Sequence, residues 1–589
     1  MTKFISNILI LLLISKSIPY DSQNLQDDFN GMRAVGSVAN PKVDMSWRKY
    51  HDQKQIEDFQ TKLQKAFPNL VKVESIGKSF QGRNLWALTL TDFSQGNHKE
   101  KPGFYMDGGI HANELNSVQV CLYTAWYLCE NHAYMPFIQQ LLKDKVFYIL
   151  PNISPDSREH FIYQANTANS QRSGQRPFDV DGDGLINEDT YNDLNKDGQI
   201  TMMRRKSATG RFKQDSKYPT RMIQIRDDEI GDYDMLGYEG YDMDGDGLVN
   251  EDNEGGYDPN RDWAWNWQPH YAQSGALFYP GTLSETRAIK DFVVNHPNIN
   301  GACSYHNYGG MFLRGPGSEQ DVDKFGPNDL AIFDHLGKVG EKLVPGYNYL
   351  VGYKDLYPVL GGERDWFELG RGIYFFTVEL MTSYKLFNQK PNSSNRNEND
   401  EFNAFDKYLL FNDAYVDWQP FKHPQYGDIE IGGPKKNYIR NHPGFMLEED
   451  LNRNMAFAVY NAYQTPQLEF SDIKIDKIDT EHALITVSVF NSRIMPTHSE
   501  FDWKNKIIAP DYLTIDGVEV VSGMTVQNKD LGLFTEQKHQ PAQIEITAIN
   551  GMQKITVQWL VKGELSKANI QVKSIKGGHI QTDLKTYLK

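Results

Sequence analysis

His111 and Glu114 sit together in Gly108-Gly-Ile-His-Ala-Asn-Glu114, and a second histidine, His306, follows far downstream in Ser304-Tyr-His-Asn-Tyr308. A further carboxylate, Glu379, closes the apolar run Phe376-Thr-Val-Glu-Leu380. Two histidines with one carboxylate can hold a catalytic zinc while leaving a position for water, so this set is a candidate zinc hydrolase centre. The H-x-x-E pair alone is weak evidence, because an acidic residue also favours the first turn of a helix, and a helix is predicted over Leu115–Leu128.

Several further motifs make the set more specific. Ser75-Ile-Gly-Lys-Ser-Phe-Gln-Gly-Arg83 reads as a strand and a turn, and Pro151-Asn-Ile-Ser-Pro-Asp156 follows the zinc pair. Then come Asp258-Pro-Asn-Arg-Asp-Trp263, His306, Tyr357 with Gly361-Gly362 after it, and Glu379. In this order they resemble the zinc carboxypeptidases of the carboxypeptidase A and B type, from about Tyr50 to about Tyr463. The 22 residues from Tyr357 to Glu379 agree with that family's spacing.

The resemblance implies a role for each residue. His111, Glu114 and His306 would hold zinc, Asp258 would orient a zinc-bound imidazole, and Glu379 would serve as the base. Asn260 and Arg261 would clamp the free C-terminal carboxylate of a peptide, with Asp262 standing where an asparagine is common. Tyr357 would close over the substrate. Arg204, in Met202-Met-Arg-Arg-Lys206, is the expected partner of the oxyanion, with Arg205 as the alternative. The position that sets side-chain preference in the family is Arg364, which points to an acidic C-terminal residue; the alternative is that Arg364 pairs with Glu363, Asp365 or Glu368 and points out of the pocket.

Three segments, at Asp179–Gly184, Asp193–Gly198 and Asp242–Gly247, repeat one pattern of oxygen-bearing residues with glycine at the sixth position. Asp179, Asp181 and Asp183, then Asp193, Asn195 and Asp197, then Asp242, Asp244 and Asp246 are therefore candidate calcium ligands. Position twelve of each loop is Thr190, Arg204 or Asn253 rather than glutamate, so another acid among Glu188, Asp189, Glu251 and Asp252, or backbone oxygen, would have to complete a site. A solvated acidic loop is the plainer alternative.

These residues must be positioned by a scaffold. Strand-like runs (146–150, 373–380) alternate with amphipathic helical ones (54–67, 115–128, 285–294), which predicts an α/β fold: a mixed sheet with helices on both faces over 45–465, with insertions at 179–198 and 242–253. Short alternating runs and Asn550-Gly551 predict a β-sandwich over 466–589. Asn392–Asp400 reads as a polar loop. Residues 1–17 carry Lys3, the apolar Ile8–Ile14 and Ser15-Lys16-Ser17, the parts of a signal peptide for secretion or periplasmic export, and 18–44 reads as a linker. A formal charge of −16 argues against nucleic acid, and no other run is long enough for a membrane helix. Cys121, Cys129 and Cys303 read as buried thiols, not a disulfide framework. The expected activity is zinc-dependent removal of a C-terminal residue. The alternatives are a cell-wall peptide hydrolase of the same fold and a calcium-dependent binding or adhesion protein with a degenerate peptidase domain.

Overall fold

The computed structural model describes residues 36, 38, 40–170, 172–180, 182–245, 247, 249–250, 252, 255–382 and 398–588. The proposed signal segment and the calcium candidates Asp181 and Asp246 lie outside these residues.

Eight strands form the central sheet: β1 (Val71–Lys78), β2 (Asn84–Leu90), β3 (Gly103–Gly108), β4 (Val146–Leu150), β5 (Ile299–Asn307), β6 (Met311–Arg314), β7 (Asn348–Val351) and β8 (Tyr374–Leu380). Their spatial order is β1-β2-β4-β3-β5-β8-β6-β7. β4, β3, β5 and β8 run parallel to one another, and all but Glu379 of their residues are buried. Parallel strands covered on both faces read as near-continuous apolar runs. The run Val146-Phe-Tyr-Ile-Leu150 shows why one strand serves two cores. Phe147 and Ile149 join one core while Val146, Tyr148 and Leu150 join the other, as period-two alternation requires.

The first core is covered by helix Gln53–Ala66, by the wholly buried helix Leu115–Asn131 and by helix Leu447–Tyr463. The second is covered by helix Ser284–Val294 through Ile289, Phe292 and Val293. Asp52 and Gln55 form a capping box that starts the first of these helices. The Ser75–Arg83 and Pro151–Asp156 motifs meet: the Asp156 carboxylate accepts hydrogen bonds from Ser79 Oγ at 2.7 Å, Gln81 N at 2.8 Å and Arg83 Nη1 at 2.7 Å.

Two further features extend the expected architecture. A separate six-stranded sheet is built from Met202–Gly210, Phe212–Gln214, Met222–Gln224 and Gly231–Tyr238 together with Tyr415–His423 and Gly427–Pro434. Of the expected polar loop at 392–400, the described residues open helix Glu398–Phe405. Beyond Leu468 the chain forms a five-stranded and a four-stranded sheet, both antiparallel. Ile485, Val487 and Trp559 of one sheet and Leu513, Ile515, Ile570 and Val572 of the other share one core, which is the sandwich expected.

Candidate active site

The parallel strands deliver the chemistry at their carboxyl ends, the side of an open α/β sheet where ligands bind. His111 follows β3, His306 lies near the end of β5, and Glu379 lies near the end of β8 in register with His306. Nδ1 of His111 and Nδ1 of His306 stand 3.1 Å apart. The Glu114 carboxylate lies 3.1 Å from His111 Nδ1 and 3.2 Å from His306 Nδ1. All three side chains are buried. His111 Nε2 is turned to Asp258 Oδ1 at 2.9 Å, and His306 Nε2 to Ser304 Oγ at 3.3 Å, which leaves both Nδ1 atoms for the shared point. Two nitrogens and a carboxylate converging in this way fit zinc.

Electrostatics reinforce the arrangement. Burial opposes ionisation of Glu114, but His111, Arg172 and His306 outweigh it and hold the carboxyl well below its ordinary range. Asp258 is held low against burial by Arg261, His111 and Arg172. Glu379 goes the other way. Burial pushes it up to about 7, with Glu114 adding to the rise and His306, Arg172 and Arg440 pulling against it.

His111, His306 and Glu379 share a cleft with Arg172, Asn260, Arg261, Tyr357 and Arg364. Asn260 Oδ1 accepts from Glu363 N at 2.8 Å, and Arg261 Nη1 stands 3.6 Å from Asp258 Oδ2. Asp262 is buried and accepts from the backbone N–H groups of Gly281, Thr282 and Leu283, so it fastens the Asn260-Arg261 segment from behind. Tyr357 is 48% exposed at the cleft mouth. Arg364 is buried in the cleft wall, with Nε 3.6 Å from Asp365 Oδ1. Arg364 is thus paired with Asp365, which also accepts from Gly317 N, and the arginine's charge acts on Glu368 as well, while Glu363 faces Asp107. The pair of Arg364 and Asp365 lines the cleft and does not point away from it.

Arg204 is the correction. It lies in strand Met202–Gly210 of the six-stranded sheet, is paired with Glu430 at 2.6 Å and is stacked on Tyr233 and Trp418. A side chain spent on those partners does not reach the cleft, and Arg205 beside it stands 4.0 Å from Asp234. The arginine that stands against the metal-ligand set is Arg172, whose Nη1 donates to Glu114 Oε1 at 2.9 Å and whose Nε lies 3.8 Å from Asp258 Oδ2. The available signal was position: Arg172 lies upstream of the aspartate-rich insertion, so the insertion does not lengthen the path from Asn152 to it.

Two more residues arrive from far downstream. Asn441 accepts from Leu115 N at 2.8 Å and donates to Asn113 O at 2.9 Å, pinning the segment that carries Glu114. Arg440 donates to Asn307 O at 3.3 Å and lies over the Tyr308 ring. Cys121, Cys129 and Cys303 are free and buried, and burial pushes each thiol up.

Of the calcium candidates, Asp242 and Asp244 gather with Asp189, while Asp179, Asp183, Asp193, Asn195 and Asp197 lie in loops of the same form. No helix among the described residues is long and apolar enough to cross a membrane.

Comparison with known proteins agrees with the geometry. The zinc carboxypeptidase model, Peptidase M14, matches residues 56–216 and 235–404, more than half the chain, and the chain belongs to that family. Residues 467–585 match a domain of unknown function, DUF8731. Carboxypeptidase B of Astacus astacus is 23% identical over 349 residues, which cover 57% of this chain and 88% of that protein. Carboxypeptidase D of Rattus norvegicus is 26% identical over 158 residues, 27% of this chain, and the match spans only 11% of that longer protein. A crystal structure of thrombin-activatable fibrinolysis inhibitor matches with a TM-score of 0.43 at 16% identity, covering 72% of this chain and 79% of that one.

Proposed function

We propose that this protein is a zinc-dependent carboxypeptidase that releases a C-terminal residue bearing an acidic side chain. The observation that carries this reading is one cleft holding His111, His306, Glu379, a carboxylate clamp and a buried Arg364. When bound by His111, Glu114 and His306, zinc would polarise a carbonyl and lower the pKa of water towards neutrality. Glu379 is placed to take a proton from the attacking water and pass it to the leaving amine, and a carboxyl near neutrality suits both halves of that transfer. Arg172 offers a guanidinium to the negative charge that develops on the scissile oxygen. Asn260 and Arg261 would read the free terminal carboxylate, since a planar guanidinium presents paired donors to that group. Tyr357 would cover it from the cleft mouth. Arg364 would favour an acidic side chain, because an apolar one would face a charge partly removed from water.

Export across a membrane is proposed on residues 1–17 alone, and calcium at the aspartate-glycine loops on their repeated register. The test of the activity is kcat/KM on blocked dipeptides ending in Glu, Phe and Arg, with zinc content measured in parallel. Turnover should require zinc and favour Glu, and Arg364→Ile should shift preference towards Phe. Activity retained after full zinc removal would overturn the proposal. Exclusive cleavage of cell-wall peptides in a wider panel would assign the same site to that substrate.

A further inference from the structure

The aspartate-glycine loops are not three independent turns. In the loop that begins at Asp179, the carboxylate of Asp252 accepts from Val180 N at 2.7 Å and from Asn187 N at 2.5 Å. In the loop that begins at Asp242, the carboxylate of Asp189 accepts from Met243 N at 2.6 Å. Asp189 stands ten residues after Asp179, and Asp252 ten after Asp242. Each loop thus lends the acid at its own eleventh position to the other loop. The backbones agree as well: Gly182 and Gly184 have φ of 88° and 98°, Gly245 and Gly247 have φ of 89° and 96°, and Asn187 and Asn250 are both left-handed. The loop at Asp193 is served in the same manner by Glu239, which accepts from Leu194 N and Thr201 N.

One of these acids is incompletely used. Asp189 is fully buried, and its Oδ2 has no hydrogen-bond partner among the described residues. A buried carboxylate oxygen without a partner is costly. Asp189, Asp242 and Asp244 each place an oxygen within 4.8 Å of the others, so the buried carboxylate belongs to a three-acid cluster rather than standing alone. Carboxylates from alternate loop positions, a glycine at the sixth and no nitrogen or sulfur donor are the preferences of a hard cation of calcium size.

The location gives such an ion a task. The chain leaves the cleft after Arg172 and returns at Asp258, and those two side chains face each other 3.8 Å apart. Just outside, the two limbs meet where Arg176 N donates to the Tyr257 hydroxyl at 3.1 Å. The exchanged loops lie further out on the same limbs. We infer that a calcium ion held by Asp189, Asp242 and Asp244 clamps the two limbs of this insertion and so fixes Arg172 against Asp258 and the zinc ligands. This inference deepens the calcium reading above by naming the site and its coupling to catalysis. Asp189 is here a positioning residue, acting through Arg172.

The test uses the full chain, stripped over a chelating resin and reloaded with one equivalent of zinc. Calcium chloride is then titrated by calorimetry, with limited proteolysis of 173–257 and turnover measured at each step. Stoichiometric binding, protection of the insertion and a rise in kcat at nearly constant KM are expected. Asp189→Asn and, separately, Asp242→Asn should lose the binding and the protection while keeping zinc and their circular dichroism. Binding by the wild type that persists in both variants would overturn the site but leave calcium binding elsewhere intact. Absence of binding by the wild type would overturn both. Binding without protection or a change in kcat would overturn the clamp. Calorimetry and proteolysis need no turnover, so their outcome is independent of the carboxypeptidase reading.

Discussion

As the proposed base, Glu379 would work near neutrality because the partial withdrawal of its carboxyl from water, with Glu114 adding to it, prevails over His306, Arg172 and Arg440. Glu379→Gln keeps the shape and removes the proton acceptor. Turnover should fall by about 10²–10⁴, the usual worth of a general base, while zinc content stays at one per chain. Loss of zinc instead would make Glu379 a ligand. The two arginines provide a sharper contrast. Arg172→Ala should lower kcat by about 10²–10³, the scale of a lost oxyanion donor. Arg204→Ala should leave kcat within about twofold and cost stability, because it abandons Glu430 and two aromatic faces. Equal kcat losses in both variants would contradict this assignment. The ligand set was legible from sequence because two histidines and a carboxylate are what a catalytic zinc asks for, and the order of the surrounding motifs carried the resemblance that also pointed to Glu379. Arg172 was not, because an arginine that acts at a distance of many residues from its motif carries no local pattern, and Arg204 beside an insertion edge offered a plausible decoy.

At the scale of elements, the site depends on how closely helix Leu115–Asn131 approaches the end of β3. A Cβ on Gly108 would stand 2.6 Å from the Ser117 carbonyl oxygen, which is backbone and cannot swing aside. Gly108→Ala should therefore destabilise the fold by about 1–3 kcal/mol through overpacking and loosen the turn that carries His111, raising the zinc dissociation constant. Unchanged unfolding and zinc affinity would show that the helix can shift freely. The parallel strands and this helix were legible because burial on both faces forces long apolar runs. The six-stranded sheet was not. Its strands come from two parts of the chain separated by β5 to β8, and many of its residues are only partly buried, so neither sequence proximity nor a clean alternation marks it. For the same reason Asn441, which fastens the Glu114 segment, leaves no trace near the motif it serves.

At the scale of the molecule, the sandwich is joined to the peptidase sheet by buried polar contacts as well as by apolar ones. Met495 lies in the first peptidase core, Asn300 Nδ2 donates to Pro496 O at 3.0 Å, and Lys145 Nζ donates to Pro466 O. A charged cluster sits in the same seam. Lys576 Nζ contacts Asp502 at 3.0 Å and donates to the carbonyls of Arg371 and Gly372, just before β8. His498 bridges Asp502 at 3.0 Å and Asp511 at 3.2 Å. Burial disfavours the imidazolium, but the two carboxylates outweigh it and hold His498 at about 9 rather than 6.5. Asp502 is held at about 2 against burial by Lys576 and His498. For a base whose pKa is raised on folding, the stabilisation is complete below the unfolded value and fades as pH climbs through the folded one. The His498 contribution should thus be whole below pH 6.5 and be lost towards pH 9, while that of Asp502 is whole above 3.8 and is lost as pH falls through 2. Burial lowers the pKa of Lys576, which acts in the opposite sense at alkaline pH and flattens the decline. His498→Gln removes the histidine's share together with the part of the Asp502 shift that His498 supplies. The stability gap between wild type and variant, read by urea unfolding, should be largest near pH 6 and shrink markedly by pH 9.5. A gap of constant size would mean that the neutral ring packs there as well as the charged one, and that the seam owes its strength to the apolar contacts around Met495.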